Sequence, residues 1–130
     1  MANTISRVSS DAGRFEVYAS AARTADPDTI ELGVAGYRGL HLTIDCTAVT
    51  SSPSVVFTIM GVDRVSGKTY NILVSAAITG TGTTVLKVGP GLTASANVVA
   101  NDVLPPVIRI KAVHGNSDSA TYSVGAALCA

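Results

Sequence analysis

GVDRVSGKT, residues 61–69, comes within one residue of a nucleotide-binding loop. The phosphate-cradling pattern is Gly, four residues, then Gly-Lys and Ser or Thr. Here five residues, Val62 to Ser66, separate Gly61 from Gly67-Lys68-Thr69. Such a loop works only between a strand and a helix, where backbone N–H groups and the helix N-terminus hold the phosphates. After Lys68, however, comes TYNILVS, rich in β-branched and aromatic residues, which reads as a strand. VVFTIMGV and TYNILVS therefore form a β-hairpin joined by DRVSGK, with Gly67 at the position that needs φ > 0. Asp63 and Lys68 then flank the turn as an exposed ion pair, worth about 0–1 kcal/mol. No acidic strand of the Walker B kind leads into a helix anywhere, so the reading is against nucleotide binding.

The remaining chemistry-bearing residues are sparse. His41 and His114 are the only side chains that titrate near neutrality by type. His41 lies on the polar side of a strand, His114 begins a hairpin turn, and neither neighbours a nucleophile in a GxSxG setting. Asp26, Asp28 and Glu31 are the densest carboxylates, with Asp63 and Asp102 as isolated loop positions; none has the D-x-[DN]-x-[DN]-G spacing of a calcium loop. Two cysteines, Cys46 and Cys129, end alternating runs on the apolar side and read as buried free thiols, or as a bridge if their strands are neighbours. Two thiols and two distant histidines are too few for a zinc site. No catalytic, cofactor or metal residues are assigned. Four cations are candidates for partner binding: Arg7 and Arg14 in an N-terminal arm, and Arg109 and Lys111, with Arg38, as a stripe on an outer sheet face. Without clustered aromatics to stack bases, that stripe does not read as a nucleic-acid surface.

The elements that must position these residues are strands. At 130 residues, with 47% hydrophobic and 14% charged content, the chain has one domain's worth of core. Its apolar mass is mostly Val, Ala, Ile and Leu beside abundant Thr and Ser, which favours pleated sheet. Formal charge is zero, so no net field draws the chain to nucleic acid or an anionic membrane. No apolar run approaches a bilayer span, and the first residues lack a signal peptide's apolar region, which sets synthesis in a cytoplasm as the expectation. Residues 1–14 read as an extended arm, and 15–130 as a single domain. RFEVYAS (14–20) alternates Phe15, Val17 and Ala19 inward; RGLHLTIDC (38–46) puts Leu40, Leu42, Ile44 and Cys46 on one face. SVVFTIMGV (54–62) is apolar on both faces, which implies cover from the core on one side and from a neighbouring chain or the N-terminal segment on the other. TYNILVS places Tyr70, Ile72 and Val74 together, TVLKVG (84–89) is another strand, and VIRIKAVHG (107–115) turns Ile108, Ile110 and Ala112 inward. Residues 90–106 form a long connection, expected to cross between sheets with room for one helical turn. The expected fold is an all-β, antiparallel β-sandwich, jelly-roll or Ig-like.

From about Ala19 to Leu128 the chain resembles a family of small structural proteins of tailed bacteriophages. The phrases that carry this are ASAART (19–24), RGLHLTIDCTAV (38–49), SPSVVFTIMGVDRVSGKTYNILVSAAITGTGTTVLKVGPGL (52–92) and HGNSDSATYSVGA (114–126). The resemblance implies a non-enzymatic, β-rich virion protein, made in the host bacterial cytoplasm, and brings no site residues or cofactors with it. Within that setting the favoured reading is a capsid decoration (cement) protein on the capsid surface, with the major capsid protein and further copies of itself, as a homotrimer, for partners. The alternatives are a tail or baseplate module that binds a receptor, and a tail-tube or terminator ring subunit. A host glycan lacks the aromatic platform it would need, since the chain has no Trp and only two Phe.

Overall fold

Period-two alternation makes strands wherever the sequence shows it, and the computed structural model, which describes residues 5–8 and 13–130, holds ten of them. They are β1 (Ile5–Val8), β2 (Arg14–Arg23), β3 (Thr29–Gly33), β4 (Gly39–Val49), β5 (Val55–Val62), β6 (Thr69–Val74), β7 (Gly82–Gly89), β8 (Val99–Asn101), β9 (Val107–His114) and β10 (Ala120–Cys129). Two five-stranded sheets form, ordered β1-β3-β9-β5-β6 and β2-β10-β4-β7-β8, and they pack as a β-sandwich. Pairing is antiparallel except at one edge of each sheet, where β1 lies parallel to β3 and β8 parallel to β7. The sheets are thus mixed, where the sequence led us to expect purely antiparallel ones.

Connectivity explains why local signals say little about strand order. Only β5–β6 and β7–β8 are consecutive strands that stay within one sheet; every other connection passes from one layer to the other. Residues 115–119, expected as a hairpin turn, instead carry the chain from β9 in the first sheet to β10 in the second. The long 90–106 connection does cross between sheets, but it holds the short β8 and no helix.

Inward side chains from both layers fill the middle. Leu40, Leu42 and Leu86 of the second sheet, with Val55, Phe57, Ile59, Ile108 and Ile110 of the first, have no measurable exposure. Each contributes roughly 1.5–3 kcal/mol from its burial. The alternation expected for β4 and β9 is kept without a slip. That for β2 is not: its pairing with β10 shifts twice, between Tyr122 and Val124 and between Val124 and Gly125. Each shift places an extra residue on β2, a bulge that turns the following side chains over. Val17 and Tyr18 are consequently both buried, while Ala19, expected inside, is exposed. A similar shift opposite Ile59 and Met60 puts Leu73 inside in place of Ile72 and Val74.

Two more expectations need correction. On the outward side of β5, Thr58 and Met60 are 4% and 5% exposed in the single chain. Their register neighbours are Lys111 and Val74, and Arg109 and Asn71. For these two the cover comes from within the chain, while Val56 and Val62 on the same side are half-buried. Cys129 is exposed, because Tyr122, Val124 and Ala126 point inward and residue 129 falls on the opposite side of the pleat. Cys46 is buried, as expected. Although β4 and β10 are neighbours, Cys46 pairs with Tyr122 and Cys129 with Gly39, at opposite ends of the ladder, so both thiols are free. Within the expected arm, residues 5–8 belong to the first sheet as β1; residues 1–4 and 9–12 lie outside the described residues.

Candidate functional site

Residues 61–69 form the only tight hairpin within a sheet among the described residues, and its polar groups are spent on the turn itself. The Asp63 N–H donates to the Lys68 carbonyl at 2.8 Å, and the Gly67 N–H donates to the Asp63 carbonyl at 2.7 Å. The Asp63 carboxylate accepts from the Ser66 hydroxyl at 2.7 Å and from the backbone N–H groups of Val65 and Ser66 at 3.2 and 3.3 Å. These bonds, the Ser66 hydroxyl first, hold its carboxyl below the ordinary carboxylate range. Gly67 has φ 75°, as its role in the turn requires. The N–H groups of Asp63, Val65, Ser66, Gly67 and Lys68 already have partners, and the Asp63 carboxylate faces those of Val65 and Ser66, not the Lys68 side chain as expected. Gly61 has its own reason to be glycine: a Cβ there would overlap the ring of Tyr70, its cross-strand partner.

Arg64, next in the hairpin, reaches back over the outer face of the first sheet to Glu31. Glu31 is a buried carboxylate, 3% exposed, on the outward side of β3. It accepts from Arg64 at 3.2 Å and from Arg109 Nε at 3.1 Å. Arg109 is its register partner on β9, and Arg7 its register partner on β1. The row Arg7, Glu31, Arg109, Met60, Asn71 thus runs across all five strands. Of the four predicted partner-binding cations, two stand in this row, and Lys111 stands two residues along β9 from Arg109. Arg14 does not join them: it is exposed at the start of β2, opposite Ala127, in the other sheet. Arg109 is also not a free cation awaiting a partner's acid, since its charge is met within the chain. In the sequence Glu31 offers itself only as a calcium ligand; its position inside TIEL, an apolar strand flanked by turns, is the available sign of a buried carboxylate needing a cation.

A second polar cluster closes one end of the sandwich. Tyr18 on β2 and Tyr122 on β10 point from the second sheet across the core. The Tyr18 hydroxyl donates to the carbonyl of Asp28 at 2.6 Å and lies 3.3 Å from that of Ile110 on β9. The Tyr122 hydroxyl meets His114 Nε2, at the end of β9, at 3.0 Å. Burial raises both phenol pKa values, that of Tyr122 to about 12 and that of Tyr18 further, so both remain neutral donors. Phe57 stands edge-on to Tyr122 with centroids 5.2 Å apart, and the two tyrosines are edge-on at 6.3 Å. Arg23 lies over both rings, 4.6 Å from the Tyr122 centroid and 5.4 Å from that of Tyr18. Its guanidinium donates to the carbonyls of Tyr122, Ala19 and Ala21 at 2.8, 2.7 and 3.2 Å, groups around the β2 bulge. In the sequence only His114 of this cluster stands out by type; Tyr18, Tyr122 and Arg23 do not, and the one sign is ASAART, where a strand ends on an arginine.

The carboxylate trio is dispersed. Asp26 accepts the His114 backbone N–H at 2.6 Å, Asp28 accepts the Ser6 hydroxyl at 3.2 Å, and Glu31 is taken by arginines. Among the described residues no group of three His, Cys, Asp or Glu is placed to hold a metal ion. Arg38, His41 and Cys129 line an open groove of about 310 Å³ over Gly39 and Gly89, walled by Leu92. These three side chains share no hydrogen bond, so thiol and imidazole are not arranged as nucleophile and base. No protein-family model matches the chain, and a search of the curated proteins finds no match.

Proposed function

We propose that this chain is a non-enzymatic structural protein of a tailed-bacteriophage virion, and within it a capsid decoration protein that adds to the outside of the head. One observation carries the reading: the phrases between residues 19 and 128 resemble that family in order and over most of the domain. Those phrases fall on strands of the sandwich and the connections between them. ASAART holds the β2 bulge and the arginine that occupies it; RGLHLTIDCTAV is β4; the longest phrase spans β5 to β7; HGNSDSATYSVGA begins at His114 and runs through most of β10. Each is a piece of framework.

On this reading the chain associates with itself as a trimer and with the major capsid protein. The outer face of the first sheet offers Val113, 39% exposed, beside half-buried Val56, two rows along from the row through Glu31. Copy number tests the reading. Hundreds of copies per particle on heads that lack tails, and a trimeric mass in solution, are expected; recovery only with tailed particles, or a hexameric ring, refutes decoration in favour of a tail part.

A further inference from the structure

We infer that His114 is a pH-sensitive latch, which joins the two sheets in its neutral form and releases that end of the sandwich when it takes up a proton. Its Nε2 is 3.0 Å from the Tyr122 hydroxyl, a bond that runs from the first sheet to the second. Its Nδ1 is buried and has no hydrogen-bond partner. In the neutral tautomer protonated at Nδ1, the ring accepts the Tyr122 proton at Nε2 and leaves the Nδ1–H unmet. When protonated, both nitrogens carry protons. Nε2–H and the Tyr122 O–H then point at each other unless the hydroxyl turns away, where no second acceptor awaits it, and the unmet Nδ1–H now belongs to a cation. A buried donor without a partner is costly, and more so when charged.

The groups facing the imidazole come from several elements. On β2, the Arg23 guanidinium lies over the Tyr122 ring and repels a second cation. Tyr18 of β2 and Tyr122 of β10 stay neutral, and β4 supplies the buried Cys46 thiol, whose pKa burial raises. From the β2–β3 connection, Asp26 holds the His114 backbone N–H and is the one charge in contact that favours protonation; Asp28 follows two residues on. Lys111 lies on β9 itself, and Asp118 in the next connection is bound to the Ser52 N–H. Burial outweighs the Asp26 attraction and lowers the His114 pKa below the ordinary histidine value. A depressed folded-state pKa gives stability that is whole above the unfolded value, about 6.5. It is lost as pH falls through the folded value. The segments released first would be those anchored here: the β2–β3 connection through Asp26, and residues 115–119, which are tied to Ser52 and Ser54.

NMR titration of both imidazoles in the intact chain, with His41→Gln to assign them, tests the first step without disturbing the latch. His114 should titrate below the ordinary histidine value, about 6.5; titration at or above that value overturns the inference. Urea unfolding and amide exchange at His114 and Gly115 between pH 7.5 and 5 test the second. Opening should increase toward acid by no more than tenfold per pH unit, the limit for one proton. His114→Gln, which keeps a polar side chain but cannot charge, should abolish that dependence, and Asp26→Asn should leave it in place. An equal slope in His114→Gln refutes the latch. Should His114→Gln not fold, Tyr122→Phe serves instead: it removes the hydroxyl, and the His114 titration should move up toward the ordinary histidine value, while an unmoved titration refutes the role of Tyr122.

Discussion

Glu31→Gln is the substitution for which the structure allows a magnitude to be worked out in advance. The carboxylate is 3% exposed and Arg109, its nearer partner, 17%, so this arm is largely shielded from water; Arg64 is 56% exposed. A hydrogen bond to a charged group contributes about 1.5–3 kcal/mol, while an exposed ion pair contributes about 0–1 kcal/mol. Glutamine keeps the shape and one acceptor oxygen but leaves the Arg109 guanidinium uncompensated, so the expected loss is about 2–3 kcal/mol, bounded by the 3–5 kcal/mol of a fully buried pair. For a domain of this size that lowers Tm by about 10 °C. Arg64→Met, which removes only the exposed arm, should cost under about 1 kcal/mol. Urea unfolding is the suitable assay, because guanidinium would itself screen the charges. The double variant Glu31→Gln/Arg109→Met should cost less than the sum of its single changes, with a coupling of about 1–2 kcal/mol. If Glu31→Gln stays within about 0.5 kcal/mol of the parent chain, or the pair is additive, the row across the first sheet is not held by this carboxylate.

Three further outcomes follow from local geometry. Gly67→Ala meets open space but sits at φ 75°, so it should cost about 1–2 kcal/mol by backbone strain alone, whereas Gly61→Ala should cost stability through the Tyr70 ring and be largely rescued by Tyr70→Ala; no rescue would show the glycine is needed for another reason. Arg23→Met retains apolar bulk over the tyrosine rings but strips three carbonyls of their donor, and should cost about 2 kcal/mol with faster amide exchange along Ala120–Cys129 near Tyr122; unchanged exchange there would mean that water satisfies the bulge as well as the guanidinium does.

Much of this protein is legible from side-chain alternation alone. The strand nature of β4, β5 and β9, the inward sets Leu40, Leu42, Ile44 and Ile108, Ile110, Ala112, and the hairpin at Gly67 all follow from period-two burial and the conformational freedom of one glycine. These are local properties, set by residues a few positions apart. The same locality disposes of the near-motif at 61–69, because a strand after Lys68 offers no helix N-terminus to a phosphate.

Tertiary structure decided whatever depends on which strand lies beside which. Eight of ten strands find their ladder partners across connections that change sheets or across long stretches of chain, and no residue pattern specifies those neighbours. Hence Arg109 and Lys111 read correctly as outward, yet Glu31, 78 residues away, was invisible as the partner of Arg109. The bulges in β2 are likewise set by register against β10, so Tyr18 changed faces and, with Tyr122, reached the opposite sheet. His114 shows the division most plainly. The sequence by itself determined that a group titrating near neutrality by type sits at the end of a strand; only the packing of the second sheet onto the first set that half-buried imidazole against a phenol which itself lies beneath an arginine.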